Sequence, residues 1–121
     1  MNKLERAREL QDRTKQFALR IIHCFTALPK NEAARVIGRQ FLRSGTSSAA
    51  NYRAVCRARS PAEFIAKMGT VVEEADETVF WLDLLIESRL LATKRLEPLL
   101  KERVELLKIF SSSLTTARSN R

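Results

Sequence analysis

Ser60-Pro61-Ala62-Glu63-Phe64 reads as the start of a helix in the middle of the chain. A serine hydroxyl accepts a hydrogen bond from an orphan amide at a helix N-terminus, proline suits the first helical position, and a glutamate three residues on completes a capping box. The spacing beyond this point predicts a helix over about 61–88, with Phe64, Met68, Val71, Ala75, Val79, Leu82 and Ile86 as its inward line. Upstream, Asn31 suits an N-cap and Glu32 favours the positive end of a helix dipole, so a second helix is expected over about 32–59. Its inward line is Ala34, Ile37, Phe41, Gly45, Ser48, Tyr52 and Val55. Gly38 and Gly45 inside that helix each cost ~1 kcal/mol against alanine. Close approach of a neighbouring helix is the simplest compensation; a break at Ser44-Gly45-Thr46 is the competing reading.

The remaining two helices fall on either side. Ala7, Leu10, Thr14, Phe17, Ile21, Cys24 and Leu28 recur in alternating steps of three and four over about 3–28, and Pro29 stops that helix. Arg89-Leu90-Leu91-Ala92-Thr93 turns the chain, and Leu96, Leu100, Val104, Leu107, Phe110 and Leu114 line a last helix over about 95–117, with Pro98 in its first turn. The 121 residues suffice for one domain, 1–121, and three glycines with three prolines are too few for a many-turned β fold. The expected fold class is all-α, an antiparallel up-down-up-down four-helix bundle.

The most apolar stretch, Val79-Phe80-Trp81-Leu82, is interrupted by Asp83 and Glu87, so no membrane span is expected. Met1-Asn2-Lys3-Leu4-Glu5-Arg6 is charged from the outset, unlike a signal peptide, which points to the cytoplasm. Cys24 and Cys56 match no metal or redox spacing and are expected to be reduced, buried apolar groups, too far apart along the bundle for an intrachain disulfide. His23 is the sole histidine and lies beside the core line, which gives no Ser/His/Asp set. The pairs Glu73-Glu74 and Asp76-Glu77 lack the Glu-x-x-His partners of di-metal bundles. No metal, no cofactor and no enzyme activity are expected.

Charge is distributed unevenly. Residues 1–59 hold 13 basic and 4 acidic residues, whereas residues 60–121 hold 9 and 10. At about 100° per residue, Arg35, Arg39, Arg43, Arg53 and Arg57 fall within an arc of about 80°, opposite the apolar line of the second helix. Such a row suits phosphate, because each guanidinium fork bonds phosphate oxygens in pairs. The rival reading is a solvated or ion-paired face, since residues 60–88 hold seven acids and one lysine, and Glu73, Glu74, Asp76 or Glu77 are available as partners. On the third helix Phe80, Trp81, Leu84 and Leu85 form a second apolar face, more than one bundle helix buries in a monomer, so a homo-oligomer interface is expected there.

Gln40-Phe41-Leu42-Arg43-Ser44-Gly45-Thr46-Ser47-Ser48-Ala49-Ala50-Asn51-Tyr52-Arg53-Ala54, then Arg57-Ala58-Arg59-Ser60-Pro61-Ala62-Glu63-Phe64, then Glu73-Glu74-Ala75-Asp76-Glu77-Thr78 and the leucines from Leu82 to Leu85, resemble the family named after 23S rRNA intervening-sequence proteins. The likeness runs from about Thr14 to Leu114. It implies an up-down four-helix bundle assembled as a ring, usually a pentamer. It also implies kinship with the accessory protein of diversity-generating retroelements, a basic barrel that binds nucleic acid and a reverse transcriptase. After Asn51 the chain departs from the commoner pattern, with Tyr52-Arg53-Ala54-Val55-Cys56 where an Ala-Glu-Gly ending is usual. The functional expectation is a non-enzymatic oligomer that binds RNA or DNA through the basic face. The alternative is a scaffold that docks a protein partner without nucleic acid.

Overall fold

The structure, a computed structural model, describes residues 1–120. Four helices follow one another: α1 (Lys3–Thr26), α2 (Glu32–Val55), α3 (Pro61–Glu87) and α4 (Glu97–Ser119), with a 3₁₀ turn at Thr93–Arg95 before the last. Side-chain caps set three of the starts. Asn2 accepts from the Glu5 amide at 2.8 Å, Asn31 from the Ala34 amide at 2.9 Å, and Ser60 from the Glu63 amide at 3.0 Å. The Glu63 carboxylate faces Lys67 at 3.6 Å, so the Ser60 half of the expected capping box is the half that forms.

The ends differ from expectation in one informative place. α2 stops at Val55, four residues short of Arg59. The Arg57 and Ala58 amides turn back to the Ala54 and Val55 carbonyls at 3.0 Å each, tightening the last turn. Arg57 therefore lies beyond the helix on whose face it was expected. α2 is continuous through Ser44-Gly45-Thr46, which removes the competing break. α3 ends in a Schellman turn: the Leu90 amide bonds the Leu85 carbonyl and the Arg89 amide bonds the Ile86 carbonyl, each at 3.0 Å. Arg89 takes the left-handed position of that turn with φ 62°.

Both glycines of α2 sit at close approaches to α1. A Cβ on Gly38 would lie 2.6 Å from Leu28 Cδ1, and one on Gly45 would overlap the Ile21 side chain. α2 meets α3 through a buried pair of hydroxyls, Ser44 and Thr78, 3.0 Å apart. Their two protons are shared among three acceptors: one oxygen of the pair, the Glu74 carbonyl 2.7 Å from Thr78 Oγ1, and the Phe41 carbonyl 3.3 Å from Ser44 Oγ. Arg103 joins α4 to α3 through Asp83 at 2.9 Å, and Arg13 joins α1 to α4 through Glu102 and Glu105 at 2.5 and 3.2 Å.

One apolar cluster, centred on Ile21, Phe41, Met68, Leu82 and Phe110, draws on all four helices. The inward lines of α1 and α2 match expectation; those of α3 and α4 hold at Met68, Val71, Ala75, Leu82, Leu96, Phe110 and Leu114 but shift by one residue elsewhere. In α3 the buried residues are Met68, Val71, Ala75, Thr78, Leu82 and Leu85, with Val79 and Ile86 left half-buried. Leu85, expected on an oligomer face, is fully enclosed in the core. In α4 Leu99 and Leu106 are buried in place of Leu100 and Leu107, and Val104 is 47% exposed. Adjacent leucines at 99–100 and 106–107 make two registers equally apolar. The polar contacts of Glu102 and Arg103 are compatible with one of them.

Two stability measurements check this packing. Gly45→Ala gains ~1 kcal/mol of helix propensity yet forces Ile21 aside, an overpacking cost of about 1–3 kcal/mol, so urea unfolding is expected to show net destabilisation. Arg89→Gly relieves a left-handed non-glycine residue worth about 1 kcal/mol, and the thermal midpoint is expected to rise by a few degrees.

Candidate nucleic-acid interface

A four-residue step keeps successive side chains on one helix face, and Arg35, Arg39 and Arg43 take that step along α2. Arg53 returns to the same face ten residues later. All four are exposed on the side away from Phe41, Gly45, Ser48 and Tyr52, which point into the bundle. Arg57 is exposed as well, in the turn after α2.

The five arginines do not share one environment. Arg35 pairs with Glu32 one turn earlier. Arg43 is held by two carboxylates of α3, Glu74 at 3.2 Å and Glu77 at 2.5 Å, while its Nε donates to Gln40 Oε1 at 3.1 Å. This is the ion pairing weighed against phosphate binding, and it is realised at Arg43. Among the described residues no carboxylate stands within ion-pair distance of Arg39, Arg53 or Arg57. Three guanidinium groups thus keep their full donor capacity toward solvent.

Glu77 has a second partner. The Trp81 indole N–H donates to the same Oε1 that Arg43 reaches, at 3.2 Å. Phe80 packs edge-on against that indole, ring centres 4.9 Å apart, and is itself 55% exposed. Of the expected interface residues, Phe80 lies outward, Trp81 and Leu84 are half-buried, and Leu85 is interior.

Cys24 is half-buried and Cys56 exposed, and both are free thiols. Cys56 corrects the expectation of burial: α2 ends at Val55, so the next side chain leaves the packed face. Desolvation pushes the half-buried Cys24 thiol up in pKa. The packed neighbours at the foot of the Cys56 side chain do the same there although that residue is largely exposed, and burial raises the Tyr52 phenol beside it. His23 is exposed in the last turn of α1. Among the described residues no group of three or more His, Cys, Asp or Glu stands together as a metal site, and no helix is long and apolar enough to cross a membrane. Sequence reasoning missed the Arg13 and Arg103 bridges. Arg103 carried a signal, because it sits between Leu99 and Leu106 on the buried seam, where a cation requires an anion.

The family model described as 23S rRNA-intervening sequence protein matches residues 6–112. The fold is similar to a crystal structure from Bacteroides thetaiotaomicron, a protein with unknown function from the S23 ribosomal protein family. That similarity has a TM-score of 0.81 and 33% identity, over 90% of this chain and 97% of that one. No curated protein matches the chain.

The Arg43 cluster is a surface feature, and exposed ion pairs contribute little. Arg43→Gln is expected to lower stability by less than about 1 kcal/mol in urea unfolding while helical circular dichroism is retained.

Proposed function

We propose, from the premise that the chain belongs to the 23S rRNA-intervening sequence protein family, that it is a non-enzymatic homo-oligomer that binds RNA or DNA through the outward face of α2. The observation that carries this reading is the set Arg39, Arg53 and Arg57, exposed and without ion pairs among the described residues. Free guanidinium groups on a rigid scaffold give phosphate oxygens bidentate donors. The net charge of +8, concentrated in the first half of the chain, draws a polyanion toward that half.

The helices run up, down, up, down. Gly38 faces Phe25 and Leu28 while Gly45 faces Ile21, so residue number rises along α2 as it falls along α1, which supports the antiparallel order. Subunits meet through Phe80 with the flanks of Trp81 and Leu84. The support is an aromatic ring more than half exposed, on a helix whose other apolar residues are largely enclosed. A ring, a pentamer on the family resemblance, acting in the cytoplasm, completes the reading. The second reading, a scaffold that docks a protein without nucleic acid, draws on the same exposed Phe80.

Fluorescence anisotropy with labelled RNA and DNA separates the two. Three phosphate contacts give an expected loss of affinity of about 40-fold between about 50 and 200 mM salt. The triple variant Arg39→Gln, Arg53→Gln, Arg57→Gln is expected to lose most binding with its helicity intact. Undiminished affinity in that variant removes the basic-face reading, and absence of binding by the unaltered protein leaves the scaffold. Light scattering checks the assembly, with Phe80→Ser expected to reduce the mass to that of one chain.

A further inference from the structure

We propose that the α2 face grips a double-stranded nucleic acid by both of its backbones, an inference that rests on the nucleic-acid reading and narrows it. The free positive charge is split into two poles. Arg39 forms one and the Arg53–Arg57 pair the other, with 14 residue steps of continuous helix from Arg39 to Arg53. At 1.5 Å per residue the poles stand about 21 Å apart.

The stretch between them holds no free cation. Its one arginine, Arg43, is occupied by Glu74 and Glu77. Between Arg43 and Arg53 the one exposed residue is Ala50, whose side chain is a methyl. A face with free cations at both ends and none at its low centre fits two phosphate backbones with a groove between them. The B-form major groove is about 12 Å wide, and paired RNA offers a wide, shallow minor groove. Adding a backbone on each side brings the span to that of the poles, within reach of flexible arginine side chains.

A single strand asks for something else. It adapts to any charge spacing, and its binding surfaces stack bases on exposed aromatic rings. The aromatic residues of α2, Phe41 and Tyr52, are both buried, the first wholly so. The rigid spacing is therefore matched to a rigid ligand.

The test uses the full-length protein with 5′-labelled RNA and DNA duplexes of about 20 base pairs and their separate strands, in anisotropy titrations across a salt series. Duplex of at least one kind is expected to bind ten times more tightly than its strands. Arg39→Gln is expected to lower the salt slope by about 0.9, and Arg53→Gln with Arg57→Gln by about 1.8, because both poles contact phosphate. Lys108→Gln, on the exposed side of α4, is expected to change neither. Equal or tighter binding of the strands overturns the duplex inference and leaves nucleic-acid binding standing. Loss of slope from one pole alone overturns the span. Binding of no oligonucleotide removes both readings. The RNA and DNA arms identify which duplex is held.

Discussion

Ile21 fills the space that a Cβ on Gly45 would occupy, and the same close approach recurs where Leu28 and Phe25 crowd Gly38. These two contacts fix how α2 is rotated against α1. Once Gly38 and Gly45 face α1, the helical period leaves little freedom for the other positions. Ser44 is carried toward α3, where its hydroxyl meets that of Thr78 inside the core. Arg39, Arg43 and Arg53 are carried to the outer side. Any residue larger than glycine at position 45 would push the helices apart or turn α2, and the basic face would turn with it. Two missing side chains thereby set the orientation of several charged ones.

The fold was legible where the sequence offered one apolar register. In α1 and α2, the line through Phe17, Ile21, Phe41 and Tyr52 is continuous at the helical period, whereas the outward apolar residues Leu19, Ile22 and Val36 stand apart from it and form no second line. α3 and α4 offered two. Val79, Leu82 and Ile86 compete with Thr78, Leu82 and Leu85, and a sequence reader prefers valine to threonine in a core. The structure prefers Thr78 because Ser44 and the Glu74 carbonyl stand ready to satisfy its hydroxyl. That partner comes from another helix and cannot be seen from α3 alone. The same reason hid the burial of Leu85, one turn of the seam further on.

The arginine row was legible as a row, but not as five separate environments. Periodicity placed the side chains, and it also named Glu74 and Glu77 among the available acids. It did not say that Arg43 would take both. That depends on which face α3 turns toward α2, a tertiary fact set by the buried hydroxyl pair. Arg57 was misplaced for a local reason: the helix tightens and ends at Val55 before the chain enters the Ser60-Pro61 cap. What remains after pairing is a smaller, bipolar distribution of free positive charge rather than a uniform stripe.

The chain has one tryptophan, and it lies on the carboxylate shared by the two central helices. Its emission therefore comes from a single place, the junction where Arg43, Glu77 and Phe80 converge. The molecule carries its own optical probe at the boundary between its basic and acidic flanks. Anything that draws Arg43 away from Glu77, or brings a neighbouring surface onto Phe80, alters the polarity around that indole without any label being attached.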